Sequence, residues 1–151
     1  MDKEQALAIA RTVLHEEANA VLSVAKELTD DFYKALELIL NCEGHLIFSG
    51  IGKSGHIASK LAATFASTGT PSFFVHAAEA AHGDLGMITK EDTVVAISYS
   101  GESSELLTVL PTIKREGASL IAMTGNPLSS LAKHADAHLN CHVDHEACPL
   151  N

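Results

Sequence analysis

Apolar positions recur at helical spacing over the first forty residues, and then the rhythm changes. Across residues 3–28, Ala6, Ile9, Val13, Ala20, Val24 and Leu28 fall near one stripe of a 3.6-residue period, which predicts a long amphipathic helix. A second helix is predicted over 30–41, behind Thr29-Asp30. From residue 45 onward, short continuous apolar runs alternate with helical segments. The runs predict strands at 45–49 (HLIFS), 72–75 (SFFV), 93–98 (TVVAIS), 119–123 (SLIAM) and 137–142 (AHLNCH). Helices are predicted between them at 54–67, 78–83, 103–116 and 127–134. Gly69-Thr70-Pro71 and Gly117 punctuate helix ends, and Asn126-Pro127 reads as opening a helix with proline in its first turn. Strands with continuous apolar faces, joined by helices, imply a mostly parallel sheet covered on both sides, with right-handed crossovers. The predicted fold class is therefore α/β, a five-stranded mostly parallel sheet flanked by helices. Residues 1–44 contribute N-terminal helices to the same domain, and 45–151 form its core.

Composition narrows the function classes. Hydrophobic residues make up 46% of the 151-residue chain and aromatics only 5%, so the core is built from Ala, Leu, Ile and Val. The formal net charge is -9 with no basic stripe, which argues against nucleic acid and anionic membrane as partners. No apolar run approaches the ~20 residues of a membrane span. The acidic, amphipathic N-terminus is wrong for a signal peptide. Cys42, Cys141 and Cys148 read as free thiols of a cytoplasmic protein.

In a parallel sheet, ligands sit beyond the carboxyl ends of the strands. Three polar, glycine-rich segments fall there: Gly50–Gly55, Ser98–Glu105 and Thr124–Ser130. The first, GIGKSG, invites two nucleotide readings. A triphosphate loop needs a glycine five positions before Gly52, and residue 47 is Ile. A dinucleotide fingerprint needs an acid at the end of the next strand, which here closes on Val75-His76. Neither motif is complete, and no cofactor is expected. What remains is a tight turn whose backbone N–H groups and helix dipole suit an anion or sugar hydroxyls, with Lys53 adding a full charge. The alternative is that the glycines only permit close strand–helix packing.

The second segment, SYSGESSE (98–105), places the hydroxyls of Ser98, Ser100 and Ser103 at a strand end and a helix start. Neutral donors and a helix dipole are what a monophosphate needs, without a metal. The alternative is a serine-rich helix cap. Glu105 sits in the first helical turn, where the dipole also favours a carboxylate.

SYSGESSE resembles the phosphate-binding signature of the sugar isomerase (SIS) domain. The segments GIGKSGHIASKLAATFASTGTPSFFVHAAEAAHGDLGMI (50–88) and HEACPL (145–150) make it similar, within that group, to the D-arabinose-5-phosphate isomerases. The resemblance covers residues 45–150. It implies a flavodoxin-like three-layer sandwich and interconversion of D-ribulose 5-phosphate and D-arabinose 5-phosphate for Kdo and lipopolysaccharide synthesis. It also implies a homotetramer and a small-molecule sugar phosphate as ligand. By the same resemblance, Ser98, Ser100 and Ser103 would hold the phosphate, while Lys53, Glu105, Glu146 and His82 match polar residues in or near the active site. Gly52, Ser54 and Thr124 are taken as further substrate contacts. The family's Ser-His-Pro-Gly-Gly segment and the paired CBS modules of many members have no counterpart in 1–151. The chain is therefore expected to be a C-terminally shortened SIS domain.

An aldose–ketose isomerase moves one proton between C1 and C2 through an enediol. It needs a base at carbon, a proton carrier at the oxygens and a donor where the enediolate forms. Glu105 is the first candidate for the carbon base, Glu146 and His82 for ring opening and oxygen-side transfer, and Lys53 for charge stabilisation. Exchanging the roles of Glu105, Glu146 and His82 fits the sequence equally well. A second reading is a non-catalytic sugar-phosphate-binding module of a regulator or sensor. Lys53, Glu105 and Glu146 favour the enzyme, because a sensor needs no base. The ligand types in CHVDHEAC (Cys141, His142, His145, Cys148) follow no regular zinc spacing, and no required metal is expected.

Overall fold

A computed structural model describes residues 1–81 and 84–148. Two helices open the chain, α1 (Lys3–Lys26) and α2 (Asp30–Leu40). Then follow β1 (Leu46–Gly50), α3 (Gly52–Ser67), β2 (Ser72–His76), α4 (Ala77–Ala81) and a 3-10 turn (Asp84–Met87). The chain continues through β3 (Thr93–Ile97), α5 (Ser104–Glu116), β4 (Ser119–Thr124), α6 (Ser130–His134) and β5 (Ala137–Asn140). The five strands form one sheet in the order β2-β1-β3-β4-β5, every neighbouring pair parallel. The expected parallel sandwich is present, and its sheet is wholly rather than mostly parallel.

Alternation within the strands sends side chains to two cores. Ile47, Val94, Ala96, Leu120 and Ala122 face Leu106, Val109, Leu110 and Ile113 of α5, together with Leu131 of α6. Leu46, Phe48, Val95 and Ile121 face Ala58 and Ala62 of α3 and Ala35 of α2. Leu46, Ile47, Leu120 and Ile121 are fully buried, as strands covered on both faces require. At the amino-terminal end of the sheet, buried Asp92 accepts the N–H groups of His45 (2.7 Å) and Thr89 (2.7 Å) and the Thr89 hydroxyl (2.9 Å). Burial pushes its pKa up, but those hydrogen bonds outweigh it and hold the carboxyl below its ordinary value.

Helix ends follow their caps. Asp2 and Gln5 form a reciprocal capping box at α1, and Thr29 accepts the Asp31 N–H at α2. Gly117 closes α5 at a φ of 82°. One predicted start is corrected. Asn126–Ser129 is a turn, with the Ser129 N–H donating to the Asn126 carbonyl at 3.1 Å. Ser129, not Asn126-Pro127, caps α6 by accepting the Ala132 N–H. Cys141 and His142 also leave the sheet where the strand was predicted to continue.

Helix α1 is the exception to the packing. None of its residues is buried. Ala6, Val13, Ala20 and Val24 of the predicted stripe are half-covered, whereas Ile9 and Leu28 are exposed. A second apolar stripe, Leu7, Leu14 and Val21, is 44%, 64% and 70% exposed. Among the described residues no helix is long and apolar enough to cross a membrane.

Candidate active site

The strand order reverses direction between β1 and β3, which makes their carboxyl ends the topological switch point of the sheet. Gly50 pairs with Ile97 in register, so GIGKSG and SYSGESSE leave the sheet side by side. Gly52 turns the chain at a φ of 57°, and α3 begins at once. A Cβ on Gly50 would lie 3.0 Å from the Ser54 carbonyl carbon, and one on Gly55 3.1 Å from the Gly50 oxygen. These two glycines let strand and helix approach, as the packing reading supposed, while Gly52 makes the turn. Lys53 and Ser54 then border a pocket of about 300 Å³ with Ile57, Ile97, Tyr99, Met123, Thr124 and Cys141. Its wall is mostly apolar, with Lys53 contributing the charged group.

The serine loop is tied to its neighbour by a ladder of backbone bonds. The Ser98 N–H donates to the Met123 carbonyl (3.1 Å), the Gly125 N–H to the Tyr99 carbonyl (2.8 Å) and the Leu131 N–H to the Gly101 carbonyl (3.1 Å). Glu102 adds a side-chain rung by accepting the Ser130 N–H at 2.7 Å. That bond, with a further one from the Ser130 hydroxyl, holds the Glu102 carboxyl below its ordinary pKa. Within the loop the Ser98 and Ser103 hydroxyls meet at 2.8 Å, and the Ser98 oxygen accepts the Gly101 N–H. The Ser100 oxygen accepts the Glu102 N–H, and Ser100 itself is exposed. Ser103 occupies the cap position of α5 yet makes no side-chain cap bond. The serine oxygens thus bond within the loop, and none of them caps α5 through its side chain. Ser98 is its buried brace, and Ser100 and Ser103 lie nearer its surface.

Glu105, in the first turn of α5, is half-buried. Its carboxylate bonds its own N–H and the Ser104 hydroxyl (3.0 Å), and these bonds hold its pKa below the ordinary value. It is a carboxylate, and so an available proton acceptor, at neutral pH. Glu146 is exposed on the segment after β5. His82 lies outside the described residues. Thr124 is fully buried, and its hydroxyl is engaged internally. It donates to the Asn126 carbonyl (2.9 Å) and accepts the Asn126 N–H (3.1 Å). The single hydroxyl proton is thereby used, so His138 Nε2, 2.9 Å away, must be the donor in that contact. Burial lowers the His138 pKa and keeps that ring neutral. Thr124 thus borders the pocket without a free hydroxyl to offer.

Among the described residues no three His, Cys, Asp or Glu side chains are grouped to hold a metal ion. The three cysteines are free thiols, and burial raises the pKa of Cys141. The structure also brings forward residues that the motif reading passed over. Glu102 and His138 brace the strand-end loops, and Tyr99 lines the pocket. Only Glu102 had a sequence signal, a carboxylate directly before the cap residue of a helix.

A family model for the SIS domain matches residues 39–150. The chain belongs to the SIS domain family. Among SIS relatives, it is 56% identical over 142 residues to arabinose 5-phosphate isomerase KdsD of Pseudomonas aeruginosa, covering 94% of this chain and 44% of that protein. Arabinose 5-phosphate isomerase KpsF of Escherichia coli is 52% identical over 142 residues, with 93% and 43% covered. The chain thus spans less than half the length of these curated relatives. Among solved SIS structures, E. coli CFT073 c3406 in complex with arabinose 5-phosphate superposes with a TM-score of 0.93 at 45% identity, covering 99% of this chain and 80% of that one. A sugar-phosphate isomerase fold from Listeria monocytogenes aligns with a TM-score of 0.93 at 36% identity, covering 99% and 79%.

Proposed function

We propose that the protein of this chain interconverts D-arabinose 5-phosphate and D-ribulose 5-phosphate through an enediol. The observation that carries the proposal is the meeting of the GIGKSG turn and the serine loop at the switch point, with Glu105 in the first turn of the following helix. The names of the relatives and the arabinose 5-phosphate complex of a structural neighbour support the choice of sugar.

In this reading Ser100, Ser103 and loop N–H groups take the phosphate, and Ser98 braces them. Gly52 and Ser54 line the approach. Anchoring the phosphate fixes the register of the open-chain sugar. Glu105 removes the C2 proton of the aldose, the electrons of that C–H bond pass into the C1–C2 enediolate, and the proton returns at C1 to give the ketose. Lys53, at the mouth of the pocket, stabilises the enediolate charge. Glu146 and His82 serve ring opening and transfer between the oxygens. The protein acts in the cytoplasm, in supplying Kdo for lipopolysaccharide. It works as a homotetramer, and the exposed Leu7, Leu14 and Val21 stripe supports a contact through α1.

Two measurements test this. The intact protein is expected to exchange the C2 proton of arabinose 5-phosphate with solvent deuterium, followed by NMR. Binding without exchange would leave the non-catalytic module as the correct reading. Replacing Ser100 and Ser103 together by Ala is expected to weaken arabinose 5-phosphate binding about tenfold or more by calorimetry, since two donors to a charged group are lost. The unfolding midpoint should change little. Unchanged affinity would move the phosphate elsewhere.

A further inference from the structure

Tyr99 lies between the two halves of the candidate site. It follows Ser98, and its carbonyl accepts the Gly125 N–H. Its ring lies against Gly125, where a Cβ would come within 2.5 Å of the ring carbon Cε2. Only a glycine at 125 lets the ring reach across. Beyond Gly125 the Tyr99 hydroxyl meets Val143 twice, donating to the Val143 carbonyl at 3.1 Å and accepting the Val143 N–H at 3.4 Å.

Val143 belongs to the segment that carries Glu146. Two earlier contacts seat the start of this segment. The Cys141 N–H donates to the Thr124 carbonyl at 2.8 Å, and His142 Nδ1 lies 3.2 Å from the Gly125 carbonyl. Past Val143 the ties weaken. His145 faces Glu16 of α1 at 3.9 Å, a length at which an exposed pair contributes little. The Cys148 N–H turns back onto the Glu146 carbonyl and anchors nothing outside the segment. The paired bonds at Val143 are therefore the nearest firm attachment before Glu146, and they run to the loop assigned to the phosphate.

We infer that Tyr99 is a positioning residue that fastens the Glu146 segment to the serine loop, so that the groups acting at the two ends of a bound sugar phosphate share one frame. The inference rests on the proposed function for the role of Glu146, but the fastening itself does not. A tyrosine that served only as pocket wall would use its ring alone, and phenylalanine would replace it without effect. The hydroxyl is the part that reaches Val143. With 53% of the residue exposed, its removal leaves the core untouched.

The test is Tyr99→Phe in the intact protein. Amide hydrogen exchange over residues 141–148 is expected to rise about tenfold, centred on Val143, with β3 and β4 unchanged. The kcat for arabinose 5-phosphate is expected to fall about tenfold with KM within twofold of the parent, because the phosphate loop keeps its own ladder while the distal group drifts. Unchanged exchange at 141–148 overturns the inference whatever the activity. Faster exchange with unchanged kcat overturns it also, since the segment would then be held to no purpose. If the parent protein proves inactive, the function reading fails on its own, and amide exchange still decides whether the hydroxyl holds the segment.

Discussion

Glu105→Gln is expected to lower kcat for arabinose 5-phosphate by about two to four orders of magnitude, the range for removal of a positioned general base. Binding of the phosphosugar should persist. The amide keeps the shape and an acceptor oxygen for the Ser104 hydroxyl, but it cannot take a proton from carbon. The pH profile separates this role from a structural one. Bonds from its own N–H and from Ser104 hold the Glu105 carboxyl below its ordinary pKa. A group with a lowered pKa stays ionised until the solution is more acidic than usual, so the acid limb of kcat/KM should lie below the ordinary glutamate range. The limb should vanish from the residual activity of the Gln variant. Near-parental turnover by Glu105→Gln would transfer the carbon base to Glu146 or His82.

Gly101→Ala is expected to be the most damaging single change to the loop itself. Gly101 has a φ of 67°, which costs an L residue about 1–2 kcal/mol. An added Cβ would also collide with the side chain of Ser129, which is fully buried and caps α6. Forcing atoms into a packed site costs about 1–3 kcal/mol more. The two costs reach the same ladder, because the Gly101 carbonyl accepts the Leu131 N–H. The urea midpoint should fall, and arabinose 5-phosphate affinity should fall with it. A variant with parental midpoint and affinity would mean that the loop has room to shift and that phosphate capture tolerates the shift.

The architecture was readable because buried parallel strands announce themselves. LIFSG, TVVAI and SLIAMT are short runs with no polar alternation, a pattern produced when both faces of a strand are covered. Boundaries were less readable where a side chain, rather than a propensity, decides them. Pro127 looked like a first-turn proline, yet the hydroxyl of Ser129 supplies the cap, so the helix starts later. The outward face of α1 was legible as composition but not as exposure. The apolar spacing there serves two stripes, and only contacts reveal which is half-covered.

The site divides in the same way. Lys53, Ser100, Ser103 and Glu105 stand out in the sequence as candidates because ligands of parallel sheets sit beyond the strand ends. Thr124 met that rule as well, but its hydroxyl is taken up by Asn126 and His138, one of them fourteen residues away on another strand. Ser98 satisfies the same rule, and its hydroxyl braces the loop from within. Tyr99 left no mark in the motif, since its contacts depend on Gly125 making room and on Val143 arriving from beyond β5. Sequence spacing registers neighbours along the chain, whereas such roles arise from neighbours across the sheet.

The ladder from Ser98 to Leu131 has a thermodynamic consequence for any anion that enters the loop. Fixing a backbone residue costs about 1–2 kcal/mol in conformational entropy, and here that cost falls on folding rather than on association. The ligand meets donors already aimed, so its encounter should carry little of the unfavourable ordering entropy typical of a loop that closes on its guest. Affinity for even a small phosphate then depends on how well the β4–α6 connection is folded, and a lesion at Ser129 or Ser130 would be felt as weaker capture at a hydroxyl it never touches.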